Sequence, residues 1–122
     1  MTDIIDLRQY EMNGSSPVIL GVVAEFNPFH KGHAYLLNEA RHTVNADLVI
    51  AAMSGNYVQR GVPAIVDKYT RTRMAIMGGA DLVAEIPLLY ATASAEYFAF
   101  AGVMVLKNLG CTHIAFGVET ED

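Results

Sequence analysis

Short, uninterrupted apolar runs recur along the chain, separated by stretches whose apolar positions follow a helical spacing. "VILGVVA" (Val18 to Ala24), "DLVIAAM" (Asp47 to Met53), "DLVAEI" (Asp81 to Ile86) and "THIAFGV" (Thr112 to Val118) are rich in β-branched and small apolar residues. Runs of this kind predict strands buried on both faces, as in a parallel sheet covered above and below by helices. After the first run, Leu36, Leu37, Ala40 and Val44 share one face of a helix beginning near Gly32. "KYTRTRMAIM" predicts a second helix, capped by Asp67 and closed by Gly78 and Gly79. Ser94 to Leu109 predicts a third, ended by Gly110. Pro28 biases Asn27 toward extended geometry and ends the first strand. Strand and helix alternate throughout, which predicts an α/β fold with a doubly wound parallel sheet.

The two ends carry their own expectations. Residues 1–16 finish in "NGSSP", a turn or linker composition, and read as a flexible extension ahead of a domain spanning 17–122. The sequence stops just past the fourth strand, where a doubly wound sheet ordinarily continues. A sheet lacking its final strand is therefore expected, with an open fourth-strand edge that invites homo-oligomer formation.

Composition narrows the class. The chain has 122 residues, 52% of them hydrophobic, enough for one domain with a real core. A single cysteine, Cys111, excludes an internal disulfide framework and fits a reducing, cytoplasmic setting. "YFAFAGVMVL" is too short to cross a bilayer, and "MTDIIDLRQYEMNG" lacks the pattern of a secretory signal, so no membrane association is expected. The net charge of −5 is unevenly spread: six of the thirteen acids lie in the tails with Arg8, leaving seven acids and seven bases between Pro17 and Val118. Arg60, Lys68, Arg71 and Arg73 fall within 14 residues of one another, making a local cationic patch or simply a solvated helix face.

The candidate chemistry sits in "EFNPFHKGH", residues 25–33. It leaves the first strand at its carboxyl end, where open parallel sheets bind ligands. Gly32 lets backbone approach a ligand, and the first-turn amides of the next helix suit an anion. His30 and His33, three apart, share one side of that turn and suit phosphate oxygens. Surface histidines at a helix start fit the same spacing. A metal site needs more ligands, and His42, His113 and Cys111 lack the spacing of a zinc motif.

"GVVAEFNPFHKGH" resembles the HxGH signature of the nucleotidyltransferase superfamily. With "AAMSGNYVQRGVPAIVDKYTRTRMAI", "GADLVAEIP" and "CTHIAFGVE", the chain resembles the N-terminal domain of the bacterial tRNA(Met) cytidine acetate ligase family from about Val18 to Glu119. The resemblance implies a Rossmann-like fold and an enzyme that forms acetyl-adenylate from acetate and ATP. It further implies acetylation of N4 of the wobble cytidine in elongator tRNA(Met), with Mg2+ arriving with ATP. Carried over by position, the nucleotide cradle comprises Val23, Ala24, Glu25, Phe26, Asn27, Pro28, Phe29, His30, Lys31, Gly32, His33, Ala34, Tyr35 and Leu36, with Gly117 against the adenine or ribose. His30 and His33 take the catalytic role at the phosphates. Where the family pattern has Phe-Gly-Ser-Glu, this chain reads Phe116-Gly117-Val118-Glu119. Another small-substrate adenylyltransferase, or a non-catalytic nucleotide-binding module, is the alternative.

"SGNYVQRG" reads as a second functional loop, with Asn56, Gln59, Arg60 and the following Lys68 as candidate substrate-binding residues. Glu25 is either a buried partner for a backbone amide or a rim carboxylate. Met53, Met74, Met77 and Met104 read as core filler, Tyr97, Phe98 and Phe100 as the packed face of the last helix, and Cys111 as an inert thiol.

Overall fold

The computed structural model describes residues 2–8, 17–58 and 61–117. Its strands are β1 (Thr2–Asp6), β2 (Ile19–Ala24), β3 (Leu48–Ser54), β4 (Leu82–Ile86) and β5 (His113–Gly117). The helices are α1 (Lys31–Val44), α2 (Lys68–Met77), the short α3 (Leu88–Ala91) and α4 (Ala95–Asn108). The sheet order is β1-β5-β2-β3-β4, with β2 parallel to β3 and β5, and β3 parallel to β4. The four apolar runs are thus the four parallel strands, close to their expected bounds, and α3 is an addition after Pro87.

The N-terminal expectation is corrected. Thr2–Asp6 is not a loose extension but a strand, antiparallel to β5 with Thr2 opposite Gly117 and Asp6 opposite His113. The Leu7 amide donates to the Thr112 carbonyl, Ile4 and Leu7 pack onto the core, and the Asp6 carboxylate meets Arg8 at 3.0 Å and His113 Nε2 at 3.4 Å. The β5 edge expected to be open is therefore paired with β1 and presents no unpaired ladder for self-association. Residues 9–16 and 118–122, Val118 and Glu119 included, lie outside the described residues.

Strand alternation divides the core between two faces. Leu20, Val22, Ala51 and Met53 pack with Leu37 and Ala40 of α1 and Ala75 of α2. On the other face Ile50, Ala52 and Ile114 meet Ala91, Phe98, Ala101 and Leu106. Gly102 lets α4 lie close to β2: a Cβ there would stand 2.5 Å from Val23 Cγ1. Cys111 is buried, and burial pushes its thiol up to about 11. At the amino ends of the strands, Asp47 accepts the Val18 amide, while Asp81 accepts the Val49 amide and pairs with Arg41 at 2.8 Å.

Two apolar assignments are corrected. Met53 is core and Met74 half-buried, but Met77 and Met104 are exposed. Of the three aromatic residues assigned to the packed face of α4 only Phe98 is packed; Tyr97 and Phe100 face solvent, and Leu88 and Leu89 of α3 are exposed as well. Among the described residues no helix is long and apolar enough to cross a membrane.

Candidate functional site

Strand order reverses between β2 and β5, so the chain leaves β2 into a crevice at the carboxyl ends of the parallel strands. The connection is tightly built. Phe26 lies in the left-handed region at φ 50 although it is not glycine, and it is almost fully buried. Such a conformation persists only where surroundings impose it. Here Phe29 meets its ring edge-on at 4.9 Å and His33 at 5.0 Å. The Asn27–Pro28 peptide is cis, and Asn27 Oδ1 accepts the Ile65 amide at 2.7 Å.

The two histidines cap α1 together. His30 is the N-cap residue, and its Nδ1 accepts the Gly32 amide at 3.0 Å. His33 reaches back, its Nδ1 accepting the His30 amide at 3.1 Å. This is a capping box in which imidazoles replace the usual hydroxyl and carboxylate. Because Nδ1 accepts in both, each neutral ring carries its proton on Nε2. The rings stack with centroids 3.7 Å apart. A Cβ on Gly32 would lie 2.9 Å from His30 Cε1, so this glycine is what admits the folded-over ring.

One expectation about this turn is revised. The amides of Gly32, His33 and Ala34 do not await an anion: Gly32 donates to the His30 ring, and His33 and Ala34 to the His30 carbonyl. In both rings it is Nδ1 that is spent on the cap, which leaves Nε2 as the N–H position.

The rest of the expected cradle divides by burial. Phe26 is core, and Phe29 and Leu36 are half-buried and pack against it. Val23 and Ala24 end β2, half-buried, while His30, Lys31, Gly32 and Tyr35 are exposed. Glu25 is half-buried, and its main-chain carbonyl accepts from Arg71. Gly117 ends β5, two residues past the paired Val22 and Ala115, which brings it beside the end of β2.

The second loop lies alongside. Val58 and Gly61 amides bond to Val62 and Val58 carbonyls, and Tyr57 bridges Pro63. Asn56 Oδ1 accepts the Lys68 amide at 2.9 Å, so this side chain anchors the start of α2, where Asp67 caps Thr70. Lys68 Nζ pairs with Glu85 at 2.9 Å, and that bond and charge raise its pKa. Gln59 and Arg60 lie outside the described residues. Lys68, Glu85, Tyr69, Thr72, Met53 and Val83 line an open groove of about 320 Å³.

Of the four bases read as a cationic patch or a solvated helix face, Arg60 lies outside the described residues and the other three divide. Arg71 is buried, with 0% exposure, and binds main-chain carbonyls; Lys68 is neutralised by Glu85, and Arg73 alone of the three faces solvent without a described ion pair. Arg71 and Glu85 are the residues sequence reasoning missed. A signal for Arg71 existed: it precedes Met74 and Ala75 by three and four positions, on the packed stripe of α2. Among the described residues no three His, Cys, Asp or Glu side chains gather as a metal cage.

The model of the HIGH nucleotidyl transferase family matches residues 18–122. The chain belongs to that family. It is 58% identical over 101 residues to a tRNA(Met) cytidine acetate ligase of Pediococcus pentosaceus, covering 83% of this chain and 28% of that protein. It is 53% identical over 100 residues to the protein of the same name in Lysinibacillus sphaericus, covering 82% and 25%. The chain thus spans about a quarter of the length of these curated relatives. Among solved structures, Thermotoga maritima TmcAL bound with alpha-thio ATP superposes with a TM-score of 0.74 at 49% identity, covering 78% of this chain and 23% of that one. The fold expected from the four apolar runs is therefore that of a HIGH nucleotidyl transferase, extended by the antiparallel β1.

Proposed function

We propose that this chain binds ATP at the His30–His33 turn and forms the nucleotide-activating part of a tRNA(Met) cytidine acetate ligase. The observation carrying the reading is the capping pair: two stacked imidazoles, both with Nδ1 engaged, at the opening of α1 beside the β2–β5 switch point. The names of the relatives and the alpha-thio ATP of the Thermotoga maritima protein support the nucleotide and the acceptor.

The reaction proposed is the one implied by the ligases that the chain resembles. An acetate oxygen attacks the α-phosphorus of ATP, the bond to the bridging oxygen of pyrophosphate breaks, and acetyl-adenylate forms. The His30 and His33 Nε2 protons would stabilise the negative charge that grows on the phosphate oxygens. Mg2+ accompanies the triphosphate, as it commonly does at phosphate sites. The cytidine N4 then attacks the acetyl carbonyl carbon, AMP leaves, and one N4 proton passes to solvent. Gly117, Lys31 and the ends of β2 would face the nucleoside. Asn56, Gln59, Arg60 and Lys68 belong to the acceptor side.

Titration calorimetry with ATP, followed by an acetate-dependent pyrophosphate-release assay and acetylation of tRNA(Met) transcripts, tests the reading. Saturable ATP binding with acetate-dependent release is expected. ATP binding without release would make the chain a nucleotide-binding module. Release dependent on a phosphorylated small molecule instead of acetate would make it a different adenylyltransferase. No ATP binding at millimolar concentration would refute the site.

A further inference from the structure

Arg71 is a fully buried arginine that donates to four main-chain carbonyls. Its Nε donates to Val66 at 2.8 Å, Nη1 to Glu25 at 2.6 Å and to Ser54 at 3.1 Å, and Nη2 to Gly55. Glu25 is the first residue past β2, Ser54 ends β3, and Gly55 opens the second loop. These carbonyls lie where the parallel ladder stops, and buried carbonyls need partners. One planar guanidinium supplies them all; a lysine, with a single nitrogen, cannot span the set. The signature turn starts at Glu25, and the second loop starts at Gly55. A second strut runs between them, Asn27 Oδ1 to the Ile65 amide.

We propose that Arg71 is a positioning residue for the nucleotide site: it fixes the turn carrying His30 and His33 in register with the 55–66 loop. Its guanidinium acts through backbone and does not touch the ligand. The inference rests on the ATP reading above, and it goes further by coupling the two loops, so that nucleotide binding on one orders the other. Burial pulls the guanidinium pKa down, while the charges of Glu25, Asp67 and Glu85 oppose that. Arginine remains charged throughout the working range.

The test uses Arg71→Lys with Asp81→Asn as a control at the opposite end of the sheet, where Asp81 holds the Val49 amide and Arg41. Both variants are melted and then titrated with ATP. Displacing a site by about 1 Å can cost on the order of a hundred-fold in function. Arg71→Lys is expected to bind ATP about ten-fold or more weakly, with millimolar guanidinium restoring part of the affinity and methylammonium restoring none. Asp81→Asn is expected to melt earlier yet keep wild-type affinity. Equal ATP affinity in Arg71→Lys and wild type would overturn the proposal, as would equal losses in the two variants. Should Arg71→Lys fail to fold, amide exchange on the unaltered chain decides. ATP must slow exchange at Gly55, Val58 and Gly61 together with Gly32 and His33; protection confined to the signature turn would overturn the coupling. Absence of ATP binding in the wild type would instead refute the function proposed above.

Discussion

His33 Nδ1 accepts the backbone amide of His30 at 3.1 Å while the His30 ring lies stacked upon it, 3.7 Å between centroids. Each ring therefore closes the helix N-terminus through Nδ1 and, under the ATP reading proposed above, has a second job, donating from Nε2 to phosphate. The jobs can be separated. Serine is among the best N-cap residues, whereas alanine costs about 1 kcal/mol there. His30→Ser is expected to melt within a few degrees of the wild type and to bind ATP at least about ten-fold more weakly. His33→Ala is expected to lose both affinity and some stability, because it also removes ring contacts with Phe26 and Phe29. Calorimetric titration beside thermal melting reads both effects. Unchanged ATP affinity in His30→Ser would leave the imidazole a cap and nothing more.

Gly32→Ala probes the same turn through space rather than chemistry. The added Cβ would fall 2.9 Å from His30 Cε1 and 3.1 Å from Nδ1, closer than such atoms rest. Alanine favours helix over glycine by about 1 kcal/mol, so the backbone itself would gain. The expected outcome is a helix at least as stable, with the His30 ring pushed off the Gly32 amide and ATP affinity lowered. Histidine ring signals in a heteronuclear NMR spectrum report the displacement. A spectrum and affinity matching the wild type would show the stack to be dispensable.

Much of this site was legible in advance, for physical reasons. Val18 to Ala24 reads as a buried strand because a strand covered on both faces has no reason to alternate, and Pro28 marks where it must stop. Once that strand is placed in a parallel sheet, the turn bearing His30 and His33 lands at the carboxyl edge. What the pattern did not reveal was how the amides are spent. A histidine cap is chemically unusual, so first-turn amides looked available when the His30 ring already held that of Gly32 and the His30 carbonyl held those of His33 and Ala34. Arg71 was misread because charge suggests surface, and only the four carbonyls assembled by the fold explain its burial. The strand at Thr2 to Asp6 escaped for a different reason. Its acids and the turn composition after it resemble a tail, and its partner β5 is more than 100 residues away.

That strand carries a titratable clamp. Arg8, through its side-chain and backbone N–H groups, holds the Asp6 carboxyl down at about 2, with a smaller contribution from the charge of His113. A depressed carboxyl favours the fold above its ordinary value of 3.8 and loses that advantage as pH falls toward 2. β1 is therefore expected to loosen between about pH 4 and pH 2, and Asp6→Asn to remove this dependence. The carboxyl carbon shift of Asp6, followed by NMR, supplies the check. A midpoint at the ordinary value would mean that Arg8 and His113 do not clamp it.

The last helix offers a contrast between neighbours. Phe98 is 8% exposed and packs in the core with Ala101 and Leu106, whereas Phe100, two positions on, is 62% exposed. Two residues on a helix differ by about 200° around its axis, so burying one turns the other outward. Truncating a packed phenylalanine costs about 3–5 kcal/mol through lost burial and the cavity left behind. A surface substitution usually stays within about 0.5 kcal/mol. Phe98→Ala is thus expected to shift the urea midpoint strongly, and Phe100→Ala hardly at all. Phe100→Ala should instead lower binding of a fluorescent apolar dye, because Phe100 joins Tyr97, Leu88 and Leu89 as apolar surface facing solvent. Equal destabilisation by the two variants would show that α4 presents a different face to the sheet.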